Sequence, residues 1–131
     1  MPRPSAGTPI VIVEDDENVA LLLAFMLQRE GYDPTLLRDG RAAEAYVATQ
    51  SPPAAVVLDV MLPYRDGFAV AAAIRSDARW KSVPILMLTA RSLGADVERA
   101  RSLGVAEYVV KPFQPRLLVG RIQDLVASVT G

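Results

Sequence analysis

The chain contains no cysteine and no histidine, and each absence excludes a class of chemistry. Without cysteine there is no disulfide, no thiol redox centre and no thiolate-bound metal. Without histidine the chain lacks the commonest catalytic base and the usual ligand of transition metals. Any bound metal must therefore be held by oxygen atoms, which favours Mg²⁺, Ca²⁺ or Mn²⁺.

Long apolar runs and a large net charge are also absent. No apolar stretch approaches the roughly 18 residues of a membrane span, and residues 1–8 lack the apolar segment of a secretory signal. The formal net charge of -1 gives no electrostatic basis for binding nucleic acid. We therefore predict a cytoplasmic protein that binds neither a membrane nor nucleic acid. Its 131 residues are most simply one domain, 9–131, preceded by a loose leader, 1–8.

Short apolar runs alternate with longer segments of helical periodicity. The predicted strands are 9–13, 34–38, 54–59, 83–90 and 107–111, and the predicted helices are 17–30, 40–49, 67–77, 95–104 and 115–129. The first helix should face the core with Val19, Leu22, Leu23, Met26 and Leu27. This alternation predicts a doubly wound, five-stranded parallel sheet with helices on both faces. The weakly patterned second strand is expected at an edge.

Polar residues follow four of the strands, where open parallel sheets bind their ligands. They are Glu14, Asp15 and Asp16 at the carboxyl end of the first strand, Asp59 at the end of the third, Thr89 at the end of the fourth, and Lys111 at the end of the fifth. Asp59 is the most unexpected of these, because it interrupts the apolar run from Ala54 to Leu62 and a buried unpaired carboxylate is costly.

The chemistry of these side chains points to a phosphoryl group. Carboxylates from two neighbouring strands repel each other, and a divalent cation relieves that repulsion. Lys111 adds a point charge and Thr89 a hydroxyl donor, so that metal and lysine can neutralise phosphoryl oxygens during an in-line transfer. Asp59, alone on the middle strand, is the natural nucleophile, since no serine, cysteine or histidine ends a neighbouring strand.

With these motifs the sequence resembles, over residues 9–129, the receiver domain of two-component response regulators. The matching residues are an acidic pair (Glu14 and Asp15), the phosphoacceptor aspartate (Asp59), a proline and a glycine (Pro63 and Gly67), a hydroxyl residue before a small one (Thr89 and Ala90), a switch aromatic (Tyr108) and a Lys-Pro pair (Lys111 and Pro112). The resemblance implies a flavodoxin-like sheet with strand order 2-1-3-4-5.

The resemblance further implies a reversible signalling switch. A sensor histidine kinase or a phosphotransfer protein would phosphorylate Asp59 in a reaction that needs Mg²⁺, with Mn²⁺ as a possible substitute. Asp15, Asp59 and the backbone carbonyl of Met61 would hold the metal, and Glu14 would act through water. The chain would be no turnover enzyme, because its only chemistry would be its own phosphorylation and autodephosphorylation.

The response to phosphorylation is also implied by the resemblance. Lys111 and Thr89 would contact the phosphoryl oxygens, and the movement of Thr89 would let Tyr108 turn inward. This motion would alter the face formed by the fourth helix, the fifth strand and the fifth helix. The bond between Lys111 and Pro112 would be cis, as is usual in the family.

Residues 111–122 most resemble the receivers of the winged-helix transcription-factor subfamily, which dimerise through that same face. The chain departs from their pattern at 106–107. Those receivers usually have two acidic residues there, whereas this chain has Ala106 and Glu107, so one inter-subunit ion pair would lack its acid. No output domain is expected within residues 1–131. The chain would then be either a single-domain regulator or a receiver cut from a longer one.

Three other functions compete with this interpretation. Haloacid-dehalogenase-like phosphatases need a second acid two residues beyond the nucleophile, where this chain has Met61. Nucleotide- and flavin-binding modules need a glycine-rich turn after the first strand, where this chain has EDDEN. The remaining alternative is a receiver-like interaction module that acts without phosphorylation.

Five further residues receive predictions of their own. Asp16 and Glu17 suit the start of the first helix, where acids interact favourably with the helix dipole. Tyr64 and Arg91 lie close to the site in sequence and are candidates for tuning access to it. Trp80 should lie at the opposite end of the sheet, and its fluorescence should respond weakly to Mg²⁺.

Overall fold

The computed structural model describes residues 7–90 and 94–130, which form five strands and five helices in strict alternation. The strands are β1 (Thr8–Val13), β2 (Tyr32–Leu37), β3 (Ala55–Asp59), β4 (Ile85–Thr89) and β5 (Glu107–Val110). The helices are α1 (Glu17–Arg29), α2 (Gly40–Thr49), α3 (Gly67–Ser76), α4 (Gly94–Ser102) and α5 (Pro115–Thr130). Thr8 belongs to β1, so the leader predicted for residues 1–8 is one residue too long, and its first six residues lie outside the described part.

All four strand pairings are parallel, and the order across the sheet is β2-β1-β3-β4-β5. This confirms the predicted flavodoxin-like arrangement and places β2 at an edge. β3 occupies the centre, between β1 and β4. The order matters for function because it brings the ends of β1, β3 and β4 side by side.

Each face of the sheet is covered by its own group of helices. Val11, Val13, Val56 and Leu58 face the core under α2, α3 and α4. The residues that alternate with them, such as Ile12 and Val57, face the core under α1 and α5. Because both faces are buried, the central strands are continuous apolar runs without polar alternation.

Aspartates begin three of the helices. Asp16 accepts hydrogen bonds from the backbone amides of Asn18 and Val19, and Asp39 and Asp66 cap α2 and α3 in the same way. The prediction that Asp16 caps the first helix is confirmed, and Glu17 occupies the first turn of α1. These caps fix where the chain turns from a strand end into the next helix.

The structure corrects two details of the predicted elements. β2 begins at Tyr32, before Pro34, because an edge strand tolerates a residue without an amide hydrogen. Leu22 does not face the core: 45% of it is exposed, whereas Leu23 and Leu27 are fully buried. Small Ala20 and Ala24 complete the inner face of α1 instead.

Trp80 lies in the turn between α3 and β4, at the end of the sheet opposite the polar strand ends, as predicted. It is 1% exposed, its indole nitrogen donates to the carbonyl of Gln50 at 3.0 Å, and Tyr46 packs edge-on against its ring. Within residues 7–90 and 94–130, every helix is too short or too polar to cross a lipid bilayer.

Candidate functional site

The predicted site residues meet at one edge of the sheet, where the carboxyl ends of the central strands lie together. Asp59 is the last residue of β3 and Thr89 is the last residue of β4. Glu14 directly follows β1, and Lys111 directly follows β5. The parallel pairing therefore gathers four polar side chains from four separate parts of the sequence.

Asp59 is 3% exposed, and both of its carboxylate oxygens have partners. Oδ1 accepts a hydrogen bond from the backbone amide of Met61 at 3.1 Å, and Oδ2 accepts one from the ammonium group of Lys111 at 3.0 Å. These bonds offset the cost of burying a carboxylate.

Glu14 is 1% exposed and lies against the same lysine. Its Oε1 is 2.8 Å from the Lys111 ammonium nitrogen, and its Oε2 accepts from the backbone amide of Asp16 at 3.1 Å. Burial, aided by the neighbouring carboxylate of Asp59, raises the pKa of Glu14 to about 7, and the hydrogen bonds from Lys111 and Asp16 only partly oppose this. Without a metal ion, the acidic cluster therefore holds a proton near neutral pH.

Lys111 is the cation of the site. Burial alone lowers the pKa of its ammonium group, but the hydrogen bonds to Glu14 and Asp59 outweigh that effect and raise the pKa above its ordinary value. Its backbone amide donates to the carbonyl of Thr89 at 2.7 Å, which ties the lysine to the end of β4. The peptide bond between Lys111 and Pro112 is cis, the geometry that the resemblance implied.

The carboxylates of Glu14, Asp15 and Asp59 are arranged so that a metal ion fits between them. One oxygen from each lies within 4.8 Å of the other two, with Glu14 and Asp59 buried and Asp15 exposed. Three carboxylates face a single ammonium group, so the site keeps an excess of negative charge. An all-oxygen donor set that is partly open to water suits Mg²⁺.

Gly67, predicted from the motif, is required by a close approach of two backbones. Its amide donates to the carbonyl of Val60 at 2.8 Å. A Cβ atom at this position would lie 2.3 Å from the carbonyl oxygen of Asp59, which is far inside van der Waals contact. Only glycine lets α3 begin this close to the end of β3.

The two residues predicted to switch lie on neighbouring strands. Thr89 is fully buried at the end of β4. Tyr108, half-buried on β5, pairs in register with Met87 and packs against the core under α2, α3 and α4. Tyr64 lies in the loop after β3, and Arg91 falls outside the described residues. Thr89 and Tyr108 thus lie on adjacent strands, and their role as a switch stays a prediction.

Comparison with known proteins identifies the family. Residues 10–123 match the family model of the response regulator receiver domain. The chain belongs to this family.

Two curated relatives of this receiver domain are full-length regulators. The chain is 39% identical over 114 residues to the DNA-binding response regulator MtrA of Mycolicibacterium smegmatis, covering 87% of this chain and 48% of MtrA. It is 40% identical over 119 residues to the sensory transduction protein RegX3 of Mycobacterium bovis, covering 91% of this chain and 51% of RegX3. The receiver chain thus spans about half the length of these relatives. A DNA-binding regulator among them is consistent with the resemblance to the winged-helix subfamily.

A solved receiver domain shows the same fold with a metal ion in place. The receiver domain of sensor histidine kinase PA1611 from Pseudomonas aeruginosa is 33% identical to this chain, with a TM-score of 0.83. The match covers 93% of this chain and 99% of that one. That structure has a magnesium ion coordinated in its active-site cleft.

Sequence reasoning missed the contacts that hold the loop after β3. The first turn of α2 touches this loop through Gly40 and Arg41, on which no motif depends. Gly40 offered the only sequence signal, since a glycine that begins a helix often marks a close approach. The residue that it approaches, Arg65, could not be inferred without the fold.

Proposed function

We propose that this receiver domain is a signalling switch that accepts a phosphoryl group on Asp59 from a sensor histidine kinase or a phosphotransfer protein. The observation that carries the proposal is the position of Asp59: a buried carboxylate at the end of the central strand, bonded to Lys111 and beside two more acids. These contacts hold the Asp59 carboxylate in a defined orientation at the end of the strand.

The transfer is a simple displacement at phosphorus. An oxygen of Asp59 forms a bond to phosphorus while the bond from phosphorus to the donor breaks, and the donor keeps the electron pair. Lys111 is already within hydrogen-bond distance of the attacking carboxylate, so its ammonium group would contact a phosphoryl oxygen after small movements. Thr89 at the end of β4 would supply a hydroxyl group to the phosphoryl oxygens.

A divalent cation, Mg²⁺ or as a substitute Mn²⁺, would neutralise the negative charge of the phosphoryl oxygens when bound. Asp15, Asp59 and the backbone carbonyl of Met61 would hold it, and Glu14 would act through water. The close approach of the carboxylates of Glu14, Asp15 and Asp59 supports their part in this assignment. The hydrogen bond from the Met61 amide to Asp59 keeps Met61 next to the site, which supports the part given to its carbonyl.

Phosphorylation would then shift the population between two packings of the domain. Thr89 would move toward the phosphoryl group, and Tyr108 would fill the space that it leaves. The face formed by α4, β5 and α5 would change as a result, and a homodimer through this face is part of the proposal. The carboxylate of Glu107 on this face already contacts Arg121 of the same chain, so a dimer would have to share or break that pair.

The alternative is a receiver-like module that binds partners without phosphorylation. The intact set of Asp59, Lys111 and carboxylates favours the phosphorylated switch over it. We further propose that the domain is no turnover enzyme, acting only on its own phosphoryl group, that it works in the cytoplasm, and that its own surface binds neither nucleic acid nor a membrane.

Intact mass after incubation with Mg²⁺ and acetyl phosphate tests the proposal. A single phosphoryl adduct should appear, and it should be absent from Asp59→Asn and from samples treated with a chelator. Absence of any adduct on the wild-type chain, while Mg²⁺ is shown to bind, would favour the interaction module. An adduct that survives in Asp59→Asn would place the phosphoryl group on another residue.

A further inference from the structure

The loop between β3 and α3, residues 60–66, is held by the first turn of α2. The amide of Gly40 donates to the carbonyl of Pro63 at 3.2 Å. A Cβ atom on Gly40 would lie 1.8 Å from the carbonyl oxygen of Arg65, so helix and loop are in direct backbone contact. This contact is tight enough that only glycine is accommodated at the start of α2.

Two side-chain contacts extend this attachment. The guanidinium group of Arg41 lies over the ring of Tyr64, 3.9 Å from its centroid. One helical turn along, Glu44 pairs with the guanidinium group of Arg65 at 2.9 Å. Successive loop residues are therefore each held by a residue on the same side of α2.

Tyr64 has a backbone conformation that a tyrosine does not adopt by preference. Its φ of 70° lies in the left-handed region, and among the described residues it is the only one besides glycine with a positive φ. Such a conformation persists only where the surroundings impose it. Because 70% of Tyr64 is exposed, burial in the core does not impose it. Two local contacts do: the amide of Arg65 donates to the carbonyl of Pro63 at 2.8 Å across Tyr64, and the guanidinium group of Arg41 packs on its ring.

The two ends of the loop are anchored differently from its middle. At the first end, the Val60 amide donates to Leu88 of β4 and the Met61 amide donates to Asp59. At the other end, Asp66 caps α3. Between these anchors, α2 contacts Pro63, Tyr64 and Arg65, two to four residues beyond Met61.

We propose that Arg41 is a positioning residue for the divalent cation: by stacking on Tyr64 it holds the loop so that the Met61 carbonyl points into the metal site. The inference rests on the proposed function, in which that carbonyl is a metal ligand. Arg41 itself touches neither the metal nor the phosphoryl group. Loss of outer support for a metal ligand typically weakens metal binding by about tenfold or more.

The direction of the change in Mg²⁺ affinity when Arg41 is replaced distinguishes a positioning role from a direct electrostatic effect. Arg41 carries a positive charge, so the loss of that charge would not by itself weaken the binding of a cation. We expect weaker binding for Arg41→Ala: an Mg²⁺ dissociation constant about tenfold higher. Arg41→Lys keeps the charge and loses the planar stack, and it should weaken binding as well.

Tyr64 provides an independent test. Tyr64→Gly removes the ring and the backbone strain together, so the free energy of unfolding should stay the same or rise while Mg²⁺ binding weakens. Tyr64→Phe keeps the ring and is the conservative variant, expected to bind Mg²⁺ like the wild type. If Tyr64 had only a structural role, the free energy of unfolding and the Mg²⁺ affinity of Tyr64→Gly would change in the same direction.

The experiment is an Mg²⁺ titration of each variant by calorimetry, paired with chemical denaturation in the presence of a chelator. Arg101→Ala on α4 removes an exposed arginine that pairs with Glu98, so it is the control for the loss of a surface arginine and should bind as the wild type does. If Arg41→Ala and Tyr64→Gly bind Mg²⁺ as tightly as the wild type, the inference is overturned and the proposed function stands. If the wild type binds no Mg²⁺, both are overturned.

Discussion

The ammonium nitrogen of Lys111 lies 3.0 Å from a carboxylate oxygen of Asp59, a residue 52 positions earlier in the chain. The same nitrogen is 2.8 Å from Glu14. One lysine thus compensates two buried carboxylates at the point where a metal ion would also bind. Lysine and metal therefore stabilise the same negative charge and repel each other.

Replacing Lys111 with Met should raise the affinity for Mg²⁺ and slow phosphorylation. The loss of a positive charge within a few Å of the metal removes a repulsion of about 1 kcal/mol, which corresponds to roughly fivefold tighter binding. The loss of a donor to the phosphoryl oxygens should slow adduct formation about 100-fold. Calorimetry measures the first effect, and a time course of intact mass with acetyl phosphate measures the second.

The chain offers a matched control for this variant. Lys81 is the only other lysine, and it is exposed in the turn between α3 and β4, at the far end of the sheet. Lys81→Met should leave both measurements unchanged. Weaker Mg²⁺ binding in Lys111→Met would contradict the competition between the two cations.

Mg²⁺ binding should release a proton from Glu14. The pKa of this carboxyl group is raised to about 7, chiefly by burial, so below that pH the metal must displace a proton. The apparent affinity should fall by up to about tenfold for each pH unit below 7. Calorimetry in buffers of different ionisation enthalpy counts the protons released, and Glu14→Gln should release none from this position.

The same group predicts how stability depends on pH without metal. Between about pH 4.5 and 7 the unfolded chain loses the Glu14 proton while the folded chain keeps it. Because the folded state then binds more protons, the contribution of Glu14 to the free energy of unfolding falls as the pH rises through this window. Urea denaturation with a chelator at several pH values should show a steeper fall for the wild type than for Glu14→Gln. Equal slopes would contradict the raised pKa.

Gly67→Ala should destabilise the domain by about 1–3 kcal/mol, since the new methyl group would be forced against backbone atoms of Asp59 that cannot rotate away. Gly120 in α5 is the control, because a Cβ atom there meets nothing within 4 Å. Gly120→Ala should instead stabilise the helix by about 0.5–1 kcal/mol. Chemical denaturation measures both. A neutral Gly67→Ala would show that α3 moves away from the strand end freely.

Trp80 fluorescence should report unfolding and not metal binding. The ring is buried at the end of the sheet opposite Asp59, and its contacts are with Tyr46 and Gln50. Its emission should shift to longer wavelength on denaturation and change little on addition of Mg²⁺. Strong quenching by Mg²⁺ would mean that binding repacks the far end of the core.

The order of the elements and the identity of the acidic cluster could be predicted from the sequence, whereas several details of packing could not. The central strands are recognisable because burial on both faces makes them continuous apolar runs. The predicted second strand, 34–38, begins two residues later than β2 does in the structure, where an edge strand accommodates Pro34 in its interior. Helical periodicity also predicts that Leu22 faces the core. This is wrong because periodicity does not show how much of an apolar stripe the neighbouring elements cover.

The chemical groups at the strand ends follow from the sequence alone: Glu14, Asp59, Thr89 and Lys111 each follow or end an apolar run, and parallel strands place such residues at one edge. The fold was needed to show that Lys111 bridges Glu14 and Asp59, that burial raises the pKa of Glu14 to about 7, and that Arg41 stacks on Tyr64. The physical reason is that distance and burial arise from elements far apart in the chain. Local sequence specifies a residue's chemistry, and its neighbours in space specify its charge state and position.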